Sequence, residues 1–257
     1  MWHKMISLLQ RWLLVVLLIV VFALACALGA EPPGSAPRFI VVLVDQSASM
    51  LAYQEQQLAD LKKLMGSLRG GDIVRIYPID ANPLSARDPI DLVVDRYDPS
   101  RRNAESYKMY VKFEVPRRAA QTLEKVSTRI FGQKPASYTG IIDAIQLAAL
   151  EFHSPLARPF LGKKLILLSD MWEDQGNIHL TPRTVSSTKL PRLLNQIRQQ
   201  GRVSDLSGVE VWIAGARIHR DSPREFEDQL QFFWIKFFQM AGAATSSENF
   251  APSLRYW

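Results

Sequence analysis

Continuous apolar runs alternate with amphipathic stretches along the chain from residue 38 onward. The run Arg38–Asp45 is apolar after its first residue and ends on an aspartate. This pattern is typical of a strand that is covered on both faces of a sheet. Similar runs predict strands at 72–79, 163–170 and 208–214, an edge strand at 91–97, and a last strand or a packed tail within 245–257.

The stretches between these runs carry apolar residues at helical spacing. Between 50 and 69 they form one stripe, and two glycines follow, as is common where a helix ends. Further helices are predicted at 139–152, 190–200 and 223–241, and helical pieces at 100–131. Pro116 must break or kink this last region, because proline lacks the backbone N–H that a helix interior needs.

Strands that alternate with helices predict an α/β fold. We expect a three-layer α/β/α, Rossmann-like architecture with a central, mainly parallel six-stranded sheet and helices on both of its faces. Ligands of such sheets bind at the carboxyl ends of the strands. The side chains that follow these strands are therefore the first candidates for a functional site.

The N-terminus has a different composition. Residues 12–30 contain no charge, Lys4 and Arg11 precede them, and the polar, proline-rich stretch 31–38 follows. An apolar stretch of this length predicts either a membrane-spanning signal-anchor or a long signal peptide. Positive charge before the stretch keeps that end in the cytoplasm.

We therefore divide the chain into an N-terminal hydrophobic helix at 1–30, a linker at 31–37 and one domain at 38–257. We expect the membrane to hold the N-terminus and the domain to lie outside the cytoplasm, in the periplasm or the extracellular space. Cys26, the only cysteine, is either a small apolar residue of the helix or a site of lipid attachment, because Ala23 to Cys26 imperfectly resembles a lipoprotein box. Without another cysteine, no disulfide can stabilise the domain.

The net charge of +6 is modest for 257 residues. The basic pairs at 101–102, 117–118 and 163–164 lie far apart in the sequence and are not interleaved with aromatic residues. We interpret them as solvated faces. Together with export, this argues against nucleic acid as a partner.

Candidate chemistry begins at the end of the first strand. There Asp45, Ser47 and Ser49 occupy alternate positions in the sequence VDQSASM. One interpretation is a polar turn, with Ser49 as the N-cap of the next helix. The other is a cation site, since a carboxylate and two hydroxyls form a hard oxygen set that suits Mg²⁺, Mn²⁺ or Ca²⁺.

Two further residues would complete such a site. Thr139 opens the helix predicted at 139–152, where it caps the helix or turns its hydroxyl to the cation. Asp170 ends the strand predicted at 163–170 and is either a turn residue or a ligand, directly or through water. All of these positions fall at ends of elements on one predicted sheet.

With these residues the chain, from 38 to 244, resembles a von Willebrand factor type A domain. The resemblance implies a metal-ion-dependent adhesion site built from D-x-S-x-S, a later threonine and a later aspartate. It implies that Ser47, Ser49 and Thr139 contact the cation directly, and that Asp45 and Asp170 act largely through bound water. Met171 departs from the family, in which many members have glycine after the last aspartate.

The resemblance also implies a function. A protein partner that offers Asp or Glu would complete the coordination of Mg²⁺, or of Mn²⁺ or Ca²⁺, so that the domain captures its partner in a cation-dependent manner. Trp172, Glu173 and Asp174 could rim the site, although a solvated loop with one packed tryptophan is the simpler interpretation.

Two alternatives remain open at this point. The first is a metal-independent scaffold subunit of an envelope complex. The second is a hydrolase. We do not expect an enzyme, because His153, His179 and His219 have no placed catalytic partner and the chain has no G-x-S-x-G sequence.

Overall fold

The computed structural model describes residues 36–85, 88–176, 178–181, 185, 189–219 and 221–254. The hydrophobic stretch 12–30 and Cys26 lie outside these residues. Within the described part of the chain, no helix is long and apolar enough to cross a bilayer.

The strands are β1 (Arg38–Asp45), β2 (Ile73–Ile79), β3 (Ile90–Val93), β4 (Gly162–Leu168), β5 (Asp174–Gln175), β6 (Ile178–His179), β7 (Val209–Ala214) and β8 (Phe250–Ala251). Six of them form the central sheet in the order β3-β2-β1-β4-β7-β8, and β5 and β6 form a separate hairpin. Every pair in the central sheet is parallel except β2 with β3. The predicted six-stranded, mainly parallel α/β fold is confirmed.

The α-helices are α1 (Gln54–Gly66), α2 (Ala104–Met109), α3 (Val115–Val126), α4 (Ile141–His153), α5 (Leu190–Gln199) and α6 (Arg224–Met240). A 3₁₀ turn, Ala48–Tyr53, leads into α1. The chain stays helical through Pro116, which lies in the first turn of α3, so of the predicted break or kink the break does not occur. The wider π turn Tyr110–Glu114, directly before α3, takes up the altered hydrogen bonding that proline imposes.

Two apolar layers flank β1 and explain its continuous apolar run. Phe39, Val41 and Leu43 belong to one core cluster, together with residues of α4 and α6. The alternate residues, such as Ile40 and Val42, belong to the other cluster, together with residues of α1 and α3. Among the described residues, every member of both clusters lies between residues 39 and 254.

The basic pairs 101–102 and 117–118 lie far apart in the sequence but meet in the fold, where the side chains of Arg102 and Arg118 are 38% and 40% exposed. Arg102 and Arg118 both reach Asp95, at 3.2 and 3.8 Å. Both guanidinium groups lie over the ring of Tyr110, at 4.4 and 5.4 Å from its centroid. The helical excursion between β3 and α4 brings them together although they are 16 residues apart in the sequence.

Candidate functional site

The carboxyl ends of β1 and β4 meet at one edge of the sheet, because the two strands are adjacent and parallel. Asp45 ends β1 and is almost fully buried, with 1% exposure. Its Oδ1 accepts a hydrogen bond from the backbone N–H of Ser47 at 2.8 Å. Its Oδ2 accepts one from the hydroxyl of Ser169 at 2.5 Å. The aspartate is therefore fixed in place by the loops after both strands.

The two serines of the D-x-S-x-S sequence face each other. The Oγ atoms of Ser47 and Ser49 are 3.0 Å apart. Ser47 precedes the 3₁₀ turn and makes no side-chain cap bond, and Ser49 lies inside that turn. The interpretation of Ser49 as the N-cap is therefore wrong. Both hydroxyls are directed to one another instead of to the helix backbone.

The loop that carries Thr139 is tied to the loop after β1. Ser47 pairs with Ala136 in a parallel bridge, and the backbone N–H of Ala136 donates to the carbonyl of Gln46 at 3.0 Å. Helix α4 begins only at Ile141, with Gly140 in the cap position, so Thr139 does not cap it. Thr139 is buried, with 5% exposure.

Asp170 follows β4 and is engaged at both oxygens. Its Oδ1 accepts from the backbone N–H of Trp172 at 3.0 Å, and its Oδ2 lies 2.8 Å from Nε2 of His219. The hydrogen bond that His219 donates to Asp170 raises the pKa of His219 above its ordinary value. His219 therefore has a partner at the site, which corrects the expectation that it has none.

Met171 occupies the position where the resembling family often has glycine. Its φ of 68° lies in the left-handed region that glycine adopts without strain. The loop thus makes the turn that glycine would make, although the residue is methionine. The side chain is 1% exposed and belongs to the core, and the carbonyl of Met171 accepts a hydrogen bond from Nε1 of Trp234 at 2.9 Å.

Replacing Met171 by glycine tests which effect dominates there. Left-handed backbone costs a non-glycine residue roughly 1–2 kcal/mol. Removing a buried methionine side chain costs about 2–5 kcal/mol. We expect Met171→Gly to destabilise the domain by about 2 kcal/mol, measured by urea denaturation. A more stable variant would show that the strain, and not the packing, controls this loop.

Glu173 is a second residue whose role the sequence did not reveal. The sequence places Glu173 in a loop that we interpret as solvated, but its side chain is fully buried and lies against the first residues of α4. One carboxylate oxygen, Oε2, accepts from the backbone N–H groups of Ile141 and Ile142, at 2.6 and 3.2 Å. The next residue, Asp174, donates its backbone N–H to the carbonyl of Thr139 at 3.1 Å. The loop after β4 therefore supports the loop of Thr139.

Burial raises the pKa of Glu173 from 4.5 to about 8. An acid with a raised pKa in the folded state makes folding less favourable as pH rises from the unfolded to the folded value. We expect the free energy of unfolding to fall by up to about 1.4 kcal/mol per pH unit between pH 5 and 8 from this group. Glu173→Gln should flatten this slope in denaturation curves. An equal slope in the variant would contradict the assignment.

The two aspartates of the site interact electrostatically. Burial and the neighbouring charge of Asp170 raise the pKa of Asp45 from 3.8 to about 7. Two buried carboxylates close together need positive charge nearby, and His219 is hydrogen-bonded to Asp170 and not to Asp45 among the described contacts. A divalent cation would supply that charge on the side of Asp45.

The donor set fits such an ion. Each carboxylate oxygen has two lone pairs. The hydrogen bonds to Asp45 and Asp170 use one lone pair on each carboxylate oxygen, which leaves the second lone pair of each oxygen for water or a cation. In the described part of the chain, no cluster of three or more His, Cys, Asp or Glu side chains could hold a metal. An ion at this edge therefore depends on the hydroxyls of Ser47, Ser49 and Thr139.

Supporting residues at this edge were missed from the sequence. They are Ser169, His219, Glu173 and Gln57, whose Nε2 donates to the carbonyls of Asp45 and Leu168 at 3.1 and 2.8 Å. Only Ser169 and His219 follow strands of the sheet, and that position is the sequence signal that could have identified them. The other two are brought to the site by tertiary packing.

Comparison with solved structures finds distant similarities. This chain is similar, over 86% of its length, to the pilus adhesin SpaC from Lactobacillus rhamnosus GG in its open conformation. The match covers 29% of the adhesin, with 14% sequence identity and a TM-score of 0.44. A von Willebrand factor type A protein from Catenulispora acidiphila matches over 80% of this chain and 42% of its own length, with 14% identity and a TM-score of 0.38.

The minor pilin PilB from Streptococcus sanguinis matches over 86% of this chain and 60% of its own length, with 13% identity and a TM-score of 0.44. The chain thus spans less than two thirds of the length of these three proteins. No protein-family model matches the sequence. No curated protein matches it either.

Proposed function

We propose that the domain captures a protein partner through a divalent cation held at the carboxyl edge of the sheet. The observation that carries this proposal is the meeting of buried Asp45 and Asp170 with the facing hydroxyls of Ser47 and Ser49. We further propose that the domain is exported and that residues 1–30 hold it at the membrane.

In this account Ser47, Ser49 and Thr139 hold Mg²⁺, or Mn²⁺ or Ca²⁺, through their hydroxyls. Asp45 and Asp170 provide negative charge and orient the surrounding water. The bound ion supplies a positive centre that attracts a carboxylate from outside, because two protein carboxylates leave it without a full set of ligands. The partner therefore offers an Asp or Glu side chain.

Exposed apolar side chains stand beside the loops of the site. Leu51 follows Ser49 by two residues and is 46% exposed, and Tyr138 directly precedes Thr139 and is 58% exposed. Exposed aromatic and aliphatic groups around a polar centre are typical of protein-binding surfaces. Leu51 and Tyr138 would contact the partner around its carboxylate.

A cross-linking pull-down with residues 31–257 as bait tests this function. We expect a partner to be captured with Mg²⁺ present, lost with EDTA and restored when Mg²⁺ is returned. Asp45→Ala should abolish capture. Asp98→Ala is the matched control, because Asp98 also accepts a hydrogen bond from the serine two residues later but lies on the exposed surface.

The alternatives give different results. Capture that is unchanged by EDTA and by Asp45→Ala would contradict the cation mechanism and favour the metal-independent scaffold. A hydrolase is the less favoured alternative, because the chain has no G-x-S-x-G sequence. A hydrolysis screen of the same protein, in which activity disappears with Asp45→Ala, would favour the hydrolase.

A further inference from the structure

The positive charge of the chain is concentrated in one segment. Residues 100–134, which include α2 and α3, contain nine Lys or Arg and three acidic residues. Their net charge of +6 equals that of the whole chain, so the remaining residues are neutral in sum. A segment with this charge attracts an anionic surface.

Apolar side chains protrude from the same segment. Met109, Val111 and Phe113 are 48%, 43% and 52% exposed, around the π turn that joins α2 to α3. Met109 and Phe113 are four positions apart and therefore share one face of this helical segment, whereas Val111 lies on another side. We call Met109 and Phe113 the apolar patch.

Basic side chains surround the apolar patch. Lys108 and Arg117 have side chains that are 76% and 61% exposed, although each also meets an acid three residues away. Lys112 is exposed, and its Nζ lies 5.1 Å from the ring centroid of Phe113. Exposed apolar groups flanked by Lys and Arg are the pattern of helices that lie in the interface of an anionic bilayer.

The position of this segment brings it next to the start of the domain. A Cβ on Gly71 would meet Pro37 at 2.8 Å and Arg96 at 3.6 Å. A Cβ on the preceding glycine would meet the hydroxyl of Tyr107 in α2. The chain therefore enters the domain beside α2, at the amino ends of the strands and opposite the candidate cation site.

The length of the chain before Pro37 limits how far this edge of the domain can lie from a membrane that holds the N-terminus. Six residues, 31–36, separate Pro37 from the apolar stretch 12–30. At about 3.3–3.6 Å per residue, six residues can span at most roughly 20 Å. If that stretch is held in a bilayer, the domain edge that carries α2 stays within reach of the lipid headgroups.

We propose that the apolar patch and its basic neighbours dock on the anionic headgroups of a lipid bilayer. Met109 and Phe113 enter the interface, and Lys108, Lys112 and Arg117 contact lipid phosphates. This contact orients the domain with the cation site directed away from the membrane. It does not depend on cation binding.

Vesicle co-sedimentation of residues 31–257 in EDTA tests the proposal, since no membrane anchor and no divalent cation is then present. Vesicles of phosphatidylglycerol and phosphatidylcholine in equal parts are compared with pure phosphatidylcholine vesicles. We expect about a hundredfold stronger binding to the anionic vesicles, weakened by high salt, because three basic residues near the surface contribute about fivefold each. The double variant Lys112→Gln/Phe113→Ser should weaken binding by at least about fivefold, because it removes one of these basic residues together with an apolar contact.

Helix α6 offers a matched control. There Lys236 lies 5.7 Å from the ring centroid of Phe232, which is 51% exposed. The double variant Phe232→Ser/Lys236→Gln removes the same groups and should bind vesicles like the unchanged protein. Circular dichroism verifies that both variants are folded.

Three results would overturn the proposal. The first is equal binding to both vesicle types, or no binding to either. The second is an equal loss of vesicle binding in the control variant. The third is a dimer that sedimentation velocity detects and that depends on Phe113, together with no vesicle binding. The last would identify a second copy of the chain as the occupant of the patch. Because the assay contains no divalent cation, its failure would leave the cation-dependent capture to be judged by its own test.

Discussion

Replacing Asp45 by asparagine is expected to abolish the stabilisation of the domain by Mg²⁺ and to stabilise the cation-free protein. The carboxylate of Asp45 is buried beside Asp170, and its pKa is raised from 3.8 to about 7. Above pH 7 the ionised group therefore makes folding less favourable, by up to about 4 kcal/mol. Asparagine removes this charge and retains an oxygen that accepts from the backbone N–H of Ser47.

Thermal denaturation at pH 8 measures both effects. In EDTA, Asp45→Asn should melt at a higher temperature than the unchanged protein. With Mg²⁺ at a hundred times its dissociation constant, the unchanged protein should gain about 2.7 kcal/mol and Asp45→Asn should gain nothing. Asp98→Asn, at an exposed aspartate that also precedes a serine by two residues, should behave as the unchanged protein. An equal Mg²⁺ response in all three would exclude Asp45 from the site.

Replacing Trp234 by alanine is expected to cause the largest loss of stability, about 3–5 kcal/mol. Trp234 is fully buried in the middle of α6. Its ring packs against Phe233 and Phe237, with centroids 5.2 and 5.4 Å away. Its Nε1 also donates to the carbonyl of Met171, so that the core contact continues into the loop after Asp170.

Urea denaturation checks this loss, and two variants divide it into its parts. Trp234→Phe retains most of the packing and loses the hydrogen bond, which contributes about 0.5–1.5 kcal/mol. Phe232→Ala, on the exposed side of the same helix, should change the stability by less than about 0.5 kcal/mol. If Trp234→Ala costs no more than Phe232→Ala, the account of this core is wrong.

The strands were predictable because burial on both faces leaves a strong sequence pattern. The predicted first strand coincides with β1, Arg38–Asp45, whose eight residues are all buried. The hairpin of β5 and β6 was missed, since two-residue strands leave no periodic signal. The π turns were also missed, because the apolar pattern does not distinguish them from α-helix.

The candidate site was predictable only as far as it follows strand ends. Asp45 and Asp170 lie where parallel neighbouring strands end, so their proximity follows from the sheet. His219 follows β7 in the same way, but nothing local shows that it bonds Asp170. Glu173 and the grouping of Arg102 with Arg118 depend on how loops and helices pack, which no spacing in the sequence encodes.

The most direct test of the central claim is an anomalous difference map from crystals of residues 31–257 grown with Mn²⁺. The account predicts one strong peak within about 2–2.5 Å of the hydroxyls of Ser47, Ser49 and Thr139. The same map from the Asp45→Asn protein should lack that peak. A map of the unchanged protein with no peak between these hydroxyls, at a Mn²⁺ concentration that supports partner capture, would contradict the cation site.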